Sequence, residues 1–383
     1  MKKAKFITIL FALTAAFLLV AAGCKSEDSD DGTPSSSASR EKPTVANVCV
    51  FYTPGSLGDG AYSDTLCLGV HKTALEKNLS VMDICPTDWK DAEETVNMLL
   101  KTVGAGNKDK TLYVFADALY SSYLLPLKDK TLVSETFLLL DSKESAEQKL
   151  NTVFMSFYGT SYLAGLAAKS LLSQKDSPRV LSVLANDSSA VILDSMNGFA
   201  SGYGVNLQDI KICDGFPSEQ VSPEDFDEIS EGGFCAIRFS ASEDFFAGYK
   251  SAGFLYNAAS VIQASFPFDF YFPLCGSSVQ GLLRYNREKG EKSFYTAGVD
   301  IDYSPYSKQV PFSVVKHIDS VASDCIKKWL NDKLPHHQEL GLGDGVMELV
   351  VSQEFASLAE VVSGAKNTAV EKEGAYEKAK SKK

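Results

Sequence analysis

From Val45 onward, short apolar runs alternate with longer amphipathic segments, and that alternation restricts the chain to an α/β fold on parallel sheets. Strands are expected at 47–52, 80–85, 111–115, 136–140 and 153–157, with helices at 61–77 and 90–103 and a short one at 120–125 stopped by Pro126. The rhythm then restarts. Helices at 161–173, 190–203 and 245–263 fall among strands at 179–184, 210–213, 234–239 and 268–272. Two successive halves joined near Phe157 predict two doubly wound lobes with a ligand cleft between them. A helix at 313–331 and a strand at 346–351 are read as returning the chain to the first lobe. The first lobe is then 44–156 plus 312–350, the second 157–311, and a charged, lysine-rich tail from 365 to 383 is expected to be a frayed helix or disordered.

The stretch 268–319 carries the densest set of candidate binding groups. Phe270, Tyr271 and Phe272 read as a buried strand, Gly276 to Gly281 open a helix, Phe294 to Val299 read as the next strand, and Asp300 and Asp302 follow it. In an open parallel sheet, ligands sit outside the carboxyl ends of the strands, so Phe272, Ser277, Ser278, Asp300 and Lys316 are expected to face one crevice. An aromatic ring, a carboxylate and a lysine suit a flat, hydroxylated small molecule. Two bland alternatives stand beside this: Asp300 as a turn residue and Lys316 as a solvated side chain on a helix start.

The loop after the first strand, GSLGDGAYSDTLCLG (55–69), places Asp59 and Tyr62 at the mouth of the same cleft. Asp59 could equally be an acid favoured by the helix dipole. Tyr62, in helical phase with Leu66 and Val70, could equally be core.

The N-terminus reads as a targeting segment. Lys2, Lys3 and Lys5 precede an apolar run from Phe6 to Ala22, which ends at Gly23-Cys24. LVAAGC resembles the bacterial lipoprotein signal, with residues 1–23 removed and Cys24 lipidated; an uncleaved anchor is the alternative. Residues 24–43 are Ser-rich and polar and read as a flexible tether. The protein is therefore expected at a cell membrane, facing the periplasm or exterior. Seven further cysteines show no CxxC and no histidine at metal-ligand spacing, so they read as small buried hydrophobes, with a disulfide left open, and the four histidines read as surface residues. A net charge of −12 argues against a nucleic-acid partner. Enzyme signatures are poor, since GSSVQG (276–281) misses the G-x-S-x-G elbow, and neither cofactor nor metal is expected.

Four windows, in order, give the chain a resemblance to the bacterial basic membrane lipoprotein family, which includes purine nucleoside receptors of ABC importers. Gly55, Asp59, Tyr62 and Gly69 match G-x-x-x-D-x-x-F-N with its later glycine; FYGTSYLAGLAA (157–168) resembles E-G-S-Y-L-A-G. DFYFPLCGSSVQG (269–281) resembles D-V-I-F-x-x-A-G-x-T-G-x-G, and YTAGVDIDY with FSVVK resembles G-V-D-x-D-Q and T-S-x-x-K. The resemblance implies a type I periplasmic-binding-protein fold, a nucleoside between the lobes and an ABC permease as partner. On this chain it implies Tyr62 and Phe272 sandwiching the base, Asp59 and Ser63 at its polar edges, Gly276 in the glycine turn, and Asp300 and Lys316 on ribose hydroxyls. Stacking of this kind is worth about 1–3 kcal/mol per base. Ser63 stands where the family has asparagine, Phe312 for threonine, Tyr303 for glutamine and Val279 for glycine. The family's acid after the third strand is matched only by Asp117, out of place, or by Ser121. These departures leave open a surface lipoprotein of the same fold that has turned to another small ligand or to an adhesin or sensor role.

Overall fold

A computed structural model of the chain describes residues 46–102, 110–124, 135–143, 150–186, 190–216, 233–240, 249–290 and 294–380. The signal segment, Cys24 and the tether lie outside the described residues.

The first sheet is built from β1 (Ala46–Phe51), β2 (Ser80–Ile84), β3 (Lys110–Phe115), β4 (Glu135–Leu140), β5 (Asn151–Met155) and, much later in the chain, β13 (His337–Leu340). Its order is β13-β5-β4-β3-β1-β2 and every pairing is parallel. Strands such as β3, KTLYVF, are apolar almost throughout because helices cover both faces of the sheet. The helices are α1 (Tyr62–Lys77), α2 (Trp89–Thr102), the single turn α3 (Ser121–Leu124) and α8 (Ile318–Leu330). Helix α8 crosses α1 closely. A Cβ on Gly69 would stand 2.4 Å from the Asp319 backbone, so glycine is what lets the two helices meet.

The second sheet has β6 (Val180–Leu184), β7 (Ile212–Phe216), β8 (Phe234–Phe239), β9 (Phe270–Leu274) and β10 (Tyr295–Thr296), in the parallel order β10-β9-β6-β8-β7. It packs with α4 (Tyr158–Leu171), α5 (Ala190–Tyr203), α6 (Ala252–Ser265) and α7 (Val279–Lys289). Small residues in α4 and α5 permit an intimate contact: a Cβ on Gly202 would fall 2.0 Å from the carbonyl oxygen of Tyr162.

A small third sheet joins β11 (Gly298–Asp300), β12 (Phe312–Lys316) and β14 (Met347–Val351), with β11 parallel and β14 antiparallel to β12. Here the structure departs from the sequence reading. The helix expected from Ser313 begins only at Ile318, because the β-branched FSVVK run is buried between two strands. The single strand expected at 294–299 is two: β10 ends on the second sheet and β11 starts on the third.

The last helix, α9 (Ala356–Lys380), corrects the expectation of a frayed tail. Its few inward residues are well partnered. The Tyr376 ring stacks on Tyr158 at 4.3 Å, and Tyr376, Lys380 and Lys143 all converge on the fully buried carboxylate of Asp194. None of the seven cysteines from Cys49 to Cys325 is disulfide-bonded. No helix among the described residues is long and apolar enough to cross a membrane.

Candidate functional site

Polar side chains gather at the carboxyl ends of β4, β11 and β12 and at the start of α1, where ligands of open α/β sheets bind. Immediately after β4, Asp141 takes a left-handed backbone conformation (φ 55°), which aspartate tolerates; Asp300, the last residue of β11, does the same (φ 72°). Lys316, the last residue of β12, is 3% exposed and its ammonium lies against the Asp141 carboxylate. The same ammonium stands 4.7 Å from the Tyr62 ring centre and 5.1 Å from that of Phe157, so one lysine is held by an anion and two aromatic faces.

Tyr62, the first residue of α1, donates its hydroxyl hydrogen to the carbonyl of Ala116 at 3.0 Å, just beyond β3. Burial holds its hydroxyl well above the usual tyrosine range, and the charges of Asp141, Asp117 and Asp300 push the same way. Asp300 is raised to about 6. Desolvation is the main cause; Lys316 pulls down, and the Asp59 and Asp141 carboxylates push up. Two oxygens in this region, Asp141 Oδ1 and the Tyr303 hydroxyl, are buried without a hydrogen-bond partner. Carboxylates and hydroxyls so placed can accept from and donate to a polyhydroxylated ligand.

Of the residues expected at the site, Tyr62, Asp300 and Lys316 come together around Asp141. Asp59 reaches the group by its charge, but its oxygens accept from Ala61, Ser63 and Asp64 backbone N–H groups at 2.7, 3.1 and 3.3 Å. It therefore does the bland task of closing the start of α1. Ser63 is 1% exposed and donates to Ser56 Oγ at 2.7 Å, stapling the loop. Gly276 has φ 51°, and a Cβ there would press the Tyr249 ring at 3.2 Å. Phe272 is elsewhere. It is fully buried and its ring stacks on Phe199 of α5 at 4.2 Å, so it sits in the core beneath the sheet and does not face Tyr62 across a ligand. Asp302 is absorbed by Ser304 and Ser313, which both donate to it. Asp141 went unread in the sequence; an acid directly after the buried run FLLL is the signal that points to it.

The two lobes touch at the rim of the cleft. Gln280 of α7 donates to the Asp59 carbonyl at 3.2 Å, and Lys250, ahead of α6, donates to the Gly55 carbonyl. The loop after β1 is thus latched to the second lobe.

No protein-family model matches the chain, and no curated protein sequence does. Solved structures do. An ABC transporter system solute-binding protein from Aeropyrum pernix K1 superposes with a TM-score of 0.61 at 14% identity, over 87% of this chain and 86% of that one. A transcriptional activator of the comK gene from Bacillus halodurans gives 0.56 at 13%, over 85% of this chain and 96% of that one. An ABC transporter periplasmic solute binding protein from Actinobacillus succinogenes 130z with bound D-allose gives 0.55 at 11%, over 82% and 99%. At such identities the likeness is one of architecture, and the architecture is the type I periplasmic-binding-protein fold.

Proposed function

We propose that this protein is the solute-capturing component of an ABC importer, held at the membrane by lipid on Cys24, and that it takes a nucleoside into the cleft between its lobes. The observation that carries the reading is the meeting of Tyr62, Asp141, Asp300 and Lys316 at the strand ends, with buried oxygens that have no protein partner. Asp300 and Asp141 accept from sugar hydroxyls, Lys316 donates to them, and Tyr62 offers its ring to the base. The solute-binding neighbours support the capture role, and the four-window resemblance supports the nucleoside. The lobes run as 44–156 with 312–350 and 157–311, and the chain passages between them form the hinge. Closure over the ligand, latched by Gln280 and Lys250, presents the surface that an ABC permease reads.

A second reading is favoured by Phe272. With that ring in the core, one face of the expected aromatic sandwich is missing, and a monosaccharide without a base fills the remaining polar groups. Calorimetric titration of the protein with a purine nucleoside, its free base and an aldohexose decides between them. Binding of the nucleoside above both others supports the first reading and binding of the hexose alone the second. Binding of none of the three removes the receptor role.

A further inference from the structure

The outer edge of the first lobe, remote in sequence from the strand-end acids of the cleft, holds three metal-ligating side chains of different chemistry. Contrary to the expectation that no histidine stands at metal-ligand spacing from a cysteine, Cys67 and His71 lie one turn apart on α1, and Asp83 projects from the edge strand β2 beside them. Their sulfur, imidazole nitrogen and carboxylate oxygen all lie within 4.8 Å of one another, and His71 Nε2 is 2.6 Å from Asp83 Oδ2. Among the described residues no other three such groups converge.

We propose that Cys67, His71 and Asp83 form a binding site for a divalent cation of the zinc class. Mixed sulfur, nitrogen and oxygen donors suit a borderline-soft ion and not calcium or magnesium, which take oxygen alone. A tetrahedral site with such bonds spaces its donor atoms by about 3.5 Å, and the three donors here already lie within 4.8 Å of one another. Three protein ligands leave the fourth position to water. The supporting layer is already built. Tyr52, fully buried, donates its hydroxyl hydrogen to Asp83 Oδ1 at 2.8 Å and fixes the carboxylate's orientation, as a group behind a metal ligand does.

On binding, the Cys67 thiol releases its proton to solvent and its sulfur bonds the ion, the hydrogen on His71 Nε2 passes through solvent to Nδ1, and the freed Nε2 and the Asp83 carboxylate each bond the ion in place of their mutual hydrogen bond. Thiolate and carboxylate together balance the two positive charges. An exposed pairing of His71 with Asp83 accounts for two of the three groups and packing against the core for Cys67; neither role calls for all three donors to converge.

The full chain, reduced and freed of metal with a chelator, is titrated with Co²⁺ and followed by absorption. One equivalent is expected to give the visible bands of tetrahedral cobalt and a near-ultraviolet thiolate-to-cobalt charge-transfer band, with Zn²⁺ displacing both. Cys67→Ser should abolish the charge-transfer band. His71→Gln, at an exposed position, should weaken Zn²⁺ binding, and Tyr52→Phe should weaken it by about tenfold or more. Absence of the charge-transfer band in the unaltered protein overturns the proposal. So does its persistence in Cys67→Ser, which would place the metal on another of the cysteines.

Discussion

Lys316 pairs with Asp141 and so joins the end of β12 on the small third sheet to the end of β4 on the first. Both side chains are largely withdrawn from water, at 2% and 15% exposure. Removing one partner of a buried pair leaves the other charge uncompensated, at a cost of about 3–5 kcal/mol. Lys316→Met is expected to lower unfolding free energy by that order in urea, and Lys316→Met with Asp141→Asn to recover much of it. A single variant as stable as the parent would show that the pair does no structural work.

Asp300 makes stability depend on pH. Its carboxyl is raised from 3.8 to about 6 in the folded protein, so the native state holds the proton more tightly than the unfolded chain does. Below both values the group is neutral in both states. Between them the unfolded chain ionises first, and stability falls as pH rises through that window. Asp300→Asn should therefore gain thermal stability over the parent at pH 7.5, and little or none at pH 3.5. Melting curves at the two pH values measure the difference; an equal gain at both removes the desolvated carboxyl as its source.

Tyr62 and Phe272 separate a ligand contact from a core contact. Tyr62→Ala should weaken the bound nucleoside by at least about tenfold, the loss of one stacked base, with Tyr62→Phe close to the parent. Phe272→Ala should instead destabilise the fold by about 3–5 kcal/mol, the cost of emptying a buried aromatic position. Denaturation and titration of both variants test the assignment, which fails if Phe272→Ala folds normally and loses ligand.

Glu373 fastens the last helix. Its two oxygens accept from the Gly159 and Leu342 backbone N–H groups, each at 3.0 Å, so α9 holds the start of α4 and the loop after β13 together. Glu373→Gln turns one acceptor into a donor facing an N–H, and a loss of about 1–3 kcal/mol is expected. Chemical denaturation reads it directly, and an unchanged midpoint would count against the clamp.

Cys24→Ser should leave an unprocessed precursor that takes up no labelled palmitate. Lipid incorporation by that variant would end the lipoprotein reading.

The alternation of strands and helices was legible because buried parallel strands and amphipathic helices have different periods. Tertiary contacts set the rest. Phe270, Tyr271 and Phe272 are all fully buried, so the strand has no polar side to reveal which ring faces a cleft. β13 reads HQEL, too polar for a core strand, because it pairs only at the sheet's edge. Residues 313–316 scan as the start of the following helix, although Val314 and Val315 favour extended backbone. The strand-end rule and the resemblance both point to Asp300 and Lys316; the partner of Lys316, Asp141, lies 175 residues away and has no such guide. Cys67 and His71 are separated by one helical turn, yet their third companion lies on β2.

β13 is the sixth strand of the first sheet, and its His337 meets Thr152 across 185 residues of sequence. The helix that clasps α4 comes later still. A chain that emerges N-terminus first therefore cannot complete its first sheet until β13, 185 residues beyond Thr152, has followed. Pairing over such separations is slow, since loop closure precedes any gain from the contact. The order of synthesis thus makes closure of the first sheet wait for its late edge strand.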